Sequence, residues 1–254
     1  ITMKRCDLII EAAEKAGVKT AVIFPSRFYD DAIQLKKAIT DQRFGDLVLG
    51  DAYVKWSRSA EYYQSSPYRG TWQFDGGGAL MNQGIHSVDL LQWYMGPVES
   101  VQSVSGNIRH KTIEVEDTIV STIKFASGAL GTMVCSTAVF PGALKRIELM
   151  GTKGTAILEE SKLIRWQFQE ERSEDGSVVV ASPNDDTAQG GVSNPADISN
   201  VGHTRQIQDF MDAVVENRKP LIDGIEGRKA VEIVLAIYES ARSGRMVSLP
   251  LSYD

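Results

Sequence analysis

The 254 residues are 43% hydrophobic, which is enough to bury one large core, and they carry a formal net charge of −6. This acidic balance, with lysine and arginine scattered among acids, excludes the basic surface that a nucleic-acid partner requires. No apolar run approaches the roughly 20 residues that cross a bilayer, and residues 1–7 lack a signal-peptide pattern, so we expect a cytoplasmic protein without a membrane partner.

The first 24 residues predict a helix followed by a buried strand. Residues 2–16 place apolar side chains at helical spacing, and Gly17 is typical of a helix end. Residues 18–24 form a short apolar run that ends at Pro25. Because one helix and one strand cannot make a sheet, we interpret residues 1–24 as the last part of a doubly wound domain whose other strands are missing.

Strands dominate the chain after a second predicted helix at 29–40. Tight turns at Ser127-Gly128 and Lys153-Gly154, in which glycine supplies a positive φ, make neighbouring strands antiparallel. Residues 182–200 are polar and aperiodic, which indicates a mobile surface loop, with a lid as the alternative. The predicted strands cover residues 47–56, 98–108, 118–125, 130–137, 146–150, 155–158, 163–168 and 246–249, and the last two helices cover 204–216 and 226–243.

This order of elements predicts an α/β (α+β) fold with an open, mainly antiparallel sheet covered by helices on one face. The open face must be covered by something, so we expect a homo-oligomer. Cys6 and Cys135 lie far apart on a predicted helix and strand, without the spacing of metal ligands. We interpret both cysteines as reduced packing residues and expect no metal site.

One helix, between the glycines at 76–78 and Gly96, carries polar side chains suited to chemistry. At 100° per residue, Asn82, His86 and Asp89 fall within about 60° of one another, away from an apolar stripe. An amide beside an imidazole can orient a bound hydroxyl, and the glycines let a ligand or another chain approach the helix N-terminus. On this helix alone, a half-buried structural histidine is the alternative. The apolar stripe comprises Met81, Ile85, Val88 and Met95.

An ordered set of motifs resembles the Gfo/Idh/MocA family, named after glucose-fructose oxidoreductase, inositol dehydrogenase and rhizopine catabolism. The motifs follow the family's order along nearly the whole chain, which makes the set specific although each motif is weak singly. They are Ala12-Ala13-Glu14-Lys15-Ala16-Gly17-Val18-Lys19, Arg27-Phe28, Gly70-Thr71-Trp72, Gly76-Gly77-Gly78, Gly84-Ile85-His86-Ser87-Val88-Asp89, Val115-Glu116-Asp117-Thr118, Gly128-Ala129-Leu130-Gly131-Thr132, Gly151-Thr152-Lys153-Gly154 and Ala236-Ile237-Tyr238-Glu239-Ser240-Ala241.

The resemblance implies a two-domain enzyme with an N-terminal Rossmann domain for NAD or NADP. Its C-terminal domain, like that of dihydrodipicolinate reductase, has an open antiparallel sheet for substrate binding and oligomer contacts. The family's dinucleotide fingerprint and its Glu-Lys-Pro motif with a catalytic lysine are absent from this sequence. We therefore expect residues 1–24 to be a Rossmann remnant and 25–254 a substrate-binding and oligomerisation domain that, by itself, binds no cofactor tightly and has no dehydrogenase activity.

The resemblance also assigns candidate site residues. His86 matches the family's active-site histidine, and Asn82 matches a position that is often aspartate. Because an amide cannot take up a proton, Asn82 would orient the substrate while His86 does acid-base work. Arg27 matches an arginine near the domain junction, where it would contact substrate or cofactor, with a surface salt bridge as the alternative.

An aromatic and basic cluster precedes the glycines and is suited to sugar faces and hydroxyls, with simple packing as the alternative. His203, just before a predicted helix, would reach the substrate pocket, or else cap the helix or face solvent. The cluster comprises Tyr62, Tyr63, Tyr68, Arg69 and Trp72, of which we select Tyr63, Arg69 and Trp72 as substrate-binding residues.

The function predicted for the full-length enzyme is NAD(P)-dependent oxidation of a secondary alcohol in a sugar, cyclitol or nucleotide-sugar. The alternative is a sugar-binding or assembly module that has lost catalysis, which agrees with the absent lysine and with Asn82. A third reading, a purely structural dimerisation domain, predicts a hydrophobic lining where Asn82, His86 and Arg69 should converge.

Overall fold

The computed structural model describes residues 1–181 and 200–252, and in this part of the chain eight strands form one sheet in the order β7-β6-β5-β1-β4-β3-β2-β8. Strands β1 and β4 are parallel, and all other neighbours in the sheet are antiparallel, as predicted. The strands are β1 (Leu47–Lys55), β2 (Val98–Gly106), β3 (Thr118–Phe125), β4 (Leu130–Ser136), β5 (Arg146–Gly151), β6 (Gly154–Glu159), β7 (Lys162–Phe168) and β8 (Val247–Ser248).

Helices α2, α4 and α6 pack on one face of this sheet, which confirms the predicted fold class. Most predicted boundaries agree with the structure to within one or two residues, while the loop predicted at 182–200 lies, up to residue 199, outside the described residues. The helices are α1 (Met3–Ala16), α2 (Asp30–Thr40), α3 (Ala60–Gln64), α4 (Ile85–Met95), α5 (Val201–Val215) and α6 (Gly224–Ser243), with a 3-10 helix at Pro25–Phe28, a π-helical turn at Ala79–Gly84 and a second 3-10 helix at Ser173–Ser177.

The segment 18–24, predicted as a strand whose neighbouring strands are missing, pairs with no strand of the described chain. Three of its backbone groups form hydrogen bonds with residues outside the sheet. The Gln206 side chain accepts a hydrogen bond from the Phe24 amide at 2.9 Å and donates one to the Val22 carbonyl at 2.7 Å. The Val22 amide donates to the carbonyl of Ile222 at 3.1 Å. Gln206 of α5 thus forms two hydrogen bonds of the kind that a neighbouring strand would form.

The two glycines predicted to form turns have different structural roles. Gly128 has φ of +91° and closes the β3–β4 hairpin, as predicted. Gly154 has no positive φ and lies inside β6, where a Cβ would come within 2.3 Å of the Phe168 ring. The second glycine therefore permits close packing of neighbouring strands and does not shape a turn.

The face of the sheet opposite the helices is exposed and partly apolar. Val104, Val120 and Val134 lie side by side across β2, β3 and β4. Val104 is 72% exposed and Val120 43% exposed, so neither is covered within the described chain. This row of β-branched side chains is the surface that the sequence predicted to be covered in an oligomer.

Both cysteines are free, as the sequence predicts. Cys135 is fully buried in β4, and burial raises the pKa of its thiol well above the ordinary value. No helix among the described residues is long and apolar enough to cross a membrane.

Candidate active site

The glycine-rich turn at 76–78 is built around the carboxylate of Glu116. That carboxylate accepts hydrogen bonds from the amides of Gly78 at 3.0 Å and Leu80 at 2.9 Å. A Cβ on Gly78 would lie 1.8 Å from the Glu116 carbonyl oxygen, so only glycine fits. The expectation that a ligand or another chain approaches this helix start is therefore wrong, because an acid of the same chain occupies it.

Tyr238 of α6 completes the support of the turn. Its hydroxyl donates to Glu116 at 3.0 Å and accepts hydrogen bonds from the amides of Gly78 and Met81 at 3.2 and 3.1 Å. A Cβ on Gly77 would lie 2.2 Å from that hydroxyl. The family-like motifs around Glu116 and Tyr238 thus shape the turn that leads into the candidate catalytic helix.

Asn82 lies in the π-helical turn, and this irregularity changes the geometry expected from 100° per residue. Its side chain donates to Asp75 at 2.7 Å and accepts from Gln83 at 2.7 Å. Asp89 is fully buried and faces Arg27, so the prediction that Asp89 shares a polar stripe with Asn82 and His86 is wrong. The structure places a carboxylate, Asp75, beside the amide instead.

His86 lies in the first turn of α4 and packs edge-on against Phe24, with ring centroids 5.7 Å apart. The residue is partly exposed, while Nδ1 is buried and has no hydrogen-bond partner. Burial, followed by the positive charges of Lys145 and His203, lowers the pKa of His86 to about 4. The imidazole is therefore neutral at neutral pH, and one of its two ring nitrogens can accept a hydrogen bond.

This pKa makes the stability of the protein depend on pH in a defined direction. Between pH 6.5 and about 4 the unfolded chain binds a proton at His86 that the folded chain excludes, so the free energy of unfolding falls as the pH falls. We expect urea unfolding of the wild type to lose up to about 3 kcal/mol more than His86→Gln across this window. Parallel pH profiles for the two proteins would contradict the lowered pKa.

Lys145 was not identified from the sequence, because nothing local distinguishes it from other lysines. It directly precedes β5, and its ammonium lies 3.5 Å from the carboxylate of Glu160, which also accepts from the Lys145 amide at 2.8 Å. His203 lies in the first turn of α5 and not before the helix, and its Nδ1 is buried without a partner. Lys145 and His203 thus bring further polar groups to the surroundings of His86.

Arg27 forms a buried ion pair with Asp89. Its guanidinium donates to both oxygens of Asp89, at 2.8 and 2.6 Å, and to Glu226 at 3.3 Å, and it lies 5.1 Å from the ring centre of Trp93. Arg27 is 6% exposed and Asp89 is 0% exposed. The alternative of a surface salt bridge is wrong, because this pair ties the 3-10 helix to α4 in the interior.

Arg69 and Asn82 are brought together through two intermediate side chains. The Arg69 guanidinium donates to the Tyr62 hydroxyl at 2.6 Å and stacks on the rings of Tyr62 and Tyr68, at 4.2 and 5.3 Å. Gln83 donates to the same hydroxyl at 3.0 Å and also to Asn82. A polar network therefore runs from the aromatic cluster to the π-helical turn.

Tyr63 and Trp72 have different surroundings. The Tyr63 hydroxyl lies 2.7 Å from Thr137, and burial raises its pKa to about 12, so the phenol stays neutral. Trp72 packs edge-on against Tyr238 at 5.2 Å and remains 48% exposed. Tyr63 is thus used in packing, while Trp72 retains a free surface. Within residues 1–181 and 200–252, no cluster of three or more potential metal ligands is found.

Comparisons with known proteins agree with this fold. Residues 32–157 match the family model described as the GFO/IDH/MocA C-terminal domain. The chain is 30% identical to the WlbA dehydrogenase of Bordetella pertussis, solved with NADH and UDP-GlcNAcA; the match covers 99% of this chain and 70% of that one, with a TM-score of 0.85. It is 35% identical to the WlbA dehydrogenase of Chromobacterium violaceum, solved with the same two ligands, over 99% of this chain and 69% of that one, with a TM-score of 0.83.

Among curated proteins, the chain is 24% identical to the D-glucoside 3-dehydrogenase of Escherichia coli K12, over 98% of this chain and 70% of the relative. The fold and these matches together identify the class of protein as a dehydrogenase-type oxidoreductase. The chain belongs to the GFO/IDH/MocA family.

Proposed function

We propose that this chain is the substrate-binding and catalytic-helix part of an NAD(P)-dependent oxidoreductase that oxidises a secondary alcohol of a sugar, cyclitol or nucleotide-sugar. The observation that carries the proposal is His86, a neutral, partly exposed imidazole at the start of α4. Support also comes from the two WlbA relatives, which were solved with NADH and UDP-GlcNAcA.

Oxidation of an alcohol releases a proton from oxygen and a hydride from carbon. His86 accepts the hydroxyl proton through Nε2, the ring nitrogen opposite the enclosed Nδ1. The nearby charge of Lys145, held by Glu160, stabilises the negative charge that develops on the substrate oxygen. When bound, NAD or NADP supplies the hydride acceptor.

The described residues fit the substrate side of such a reaction but not the phosphates of a dinucleotide. Dinucleotide phosphates need a glycine-rich turn with free amides at a helix start. Here the amides of Gly78 and Leu80 are taken by Glu116. Arg27, the one residue predicted to contact a cofactor, is engaged by Asp89 and Glu226.

We therefore propose that residues 1–24 are the end of a nucleotide-binding domain, that 25–254 form the substrate domain, and that residues 1–254 alone bind neither dinucleotide tightly. We expect titration calorimetry of these residues with NAD and NADP to show no micromolar binding. Micromolar affinity for either one would show that a dinucleotide site exists within these residues.

We also propose that the exposed sheet face forms the contact of a homo-oligomer. Support comes from the row Val104, Val120 and Val134, which no helix covers within the described chain. We expect Val120→Lys to lower the mass measured by light scattering, because a buried ammonium has no partner there. Val139→Lys, at an exposed loop position outside the sheet, is the matched control, and an equal effect of both variants would argue against this interface.

The experiment that tests the proposed function is a substrate screen of the full-length enzyme, that is, these residues together with a complete nucleotide-binding domain. Sugars, cyclitols and nucleotide-sugars are tested for reduction of NAD or NADP. We expect reduction with at least one of these classes. Tight binding of such compounds without any reduction would favour the sugar-binding module.

A further inference from the structure

A cavity of about 410 Å³ lies away from His86, between α2, the last turns of α4 and the segment 221–222. Its walls include the indole of Trp93 and the side chains of Ile33 and Leu221, which are 48% and 64% exposed. Sites for small molecules typically enclose about 300–1,000 Å³ and combine apolar walls with a few polar groups. This cavity has that size and character.

The charge on the cavity wall has one sign. Among the described residues that line it are three cations, Arg27, Lys36 and Lys37, and no acid. Arg27 and Lys37 are each paired with carboxylates that lie outside the lining. Lys36 differs, because its ammonium donates only to the backbone carbonyl of Trp93, at 2.6 Å, and no carboxylate in the described chain pairs with it.

The surroundings of Lys36 are poor in water. The side chain is half-buried, and its ammonium lies 5.5 Å from the centre of the Trp93 ring. Burial, and then the charge of Arg27, lower the pKa of Lys36. An ammonium has three N–H donors, of which one is used here. A charge that is partly desolvated and under-bonded gains most from an anionic ligand.

We propose that this cavity binds a small amphipathic carboxylate, with the carboxylate on Lys36 and an aromatic or aliphatic body against Trp93, Ile33 and Leu221. The occupant is a small molecule because the surface is a partly enclosed cavity of ligand size, lined by cations. The site is separate from the proposed alcohol oxidation, since it uses none of His86, Lys145 or His203.

Calorimetry of the 254-residue chain with naphthalene carboxylate, compared with the neutral naphthalene carboxamide, tests the proposal. We expect the carboxylate to bind at one site and the amide at least about tenfold more weakly, because a charge-assisted hydrogen bond is lost. Lys36→Met should weaken carboxylate binding by the same factor. Lys4→Met, an exposed lysine of α1 outside the cavity, should leave it unchanged.

Equal affinity for acid and amide, or an unchanged affinity in Lys36→Met, would overturn the proposal. Should Lys36→Met fail to fold by circular dichroism, Thr40→Phe provides the second variant, because it fills the cavity without removing a charge and must abolish binding. If a second copy of the chain occupies the cavity instead, Thr40→Phe will lower the mass measured by light scattering, and the proposal fails.

Discussion

Replacing His86 with alanine in the full-length enzyme is expected to lower kcat by about 10²- to 10⁴-fold while leaving cofactor affinity unchanged. In the proposed reaction the neutral imidazole accepts the hydroxyl proton, and its buried Nδ1 has no hydrogen-bond partner among the described residues. Steady-state kinetics with the substrate found in the screen measures the first effect. Titration of the variant with the dinucleotide measures the second.

Gln92→Ala is the matched control for this variant. Gln92 lies on the same helix and also has a buried side-chain atom without a hydrogen-bond partner, but it lies near Val98 and Ile233, away from His86. We expect Gln92→Ala to retain nearly the wild-type kcat. If His86→Ala retains it too, His86 is not part of the mechanism.

Arg27→Met is expected to lower the free energy of unfolding by about 3–5 kcal/mol, the cost of leaving one member of a buried ion pair alone. Asp89 is fully buried and accepts both of its charged hydrogen bonds from Arg27. Burial already raises the pKa of Asp89 to about 6, so without the guanidinium this carboxyl must be protonated or leave the core. Urea unfolding at neutral pH measures the loss.

Two further variants separate this pair from ordinary salt bridges. Arg27→Met combined with Asp89→Leu should recover much of the loss, because no buried charge remains without its partner. Arg205→Met removes the exposed pair of Arg205 with Asp30, at 2.6 Å, and should cost at most about 1 kcal/mol. If Arg27→Met and Arg205→Met lower the free energy of unfolding equally, the buried pair of Arg27 and Asp89 contributes no more than an exposed salt bridge.

The sheet was predictable because its signals are local. Residues 122–125 of β3, for example, alternate between exposed polar and buried apolar side chains as the sequence does, and Gly128 marks the turn to β4. The hydrogen bonds of the segment 18–24 were not predictable, because the Phe24 amide and the Val22 carbonyl bind a distant side chain, Gln206. Pairing partners that lie far along the chain leave no local pattern.

The candidate site was only partly predictable. His86 was found through a motif, but the π-helical turn shifts Asn82 away from the phase of α4, and helical periodicity cannot show this. The pairing of Arg27 with Asp89, 62 residues apart, and the approach of Lys145 to His86 depend on tertiary packing. The glycines at 76–78 signalled a close approach correctly, but the group that approaches is Glu116 of the same chain.

The polar character of the site also bears on the competing functions. A purely structural dimerisation domain predicts a hydrophobic lining, whereas Arg69, Tyr62, Gln83 and Asn82 form a continuous hydrogen-bonded network beside the helix of His86. The network therefore favours a site for hydroxyl-rich ligands. It does not distinguish an enzyme from a sugar-binding module, which the kinetics of His86→Ala will do.

The proposed function requires that the neutral imidazole of His86 contacts the substrate. Because the chain has three histidines, NMR of the histidine-labelled protein can follow each ring separately, with His86→Gln giving the assignment. At neutral pH we expect the His86 resonances to report a neutral ring and to move when the substrate found in the screen is added, while those of His110 stay in place. A charged His86 ring, or substrate binding that leaves the His86 resonances unmoved, would show that a neutral His86 does not contact the substrate.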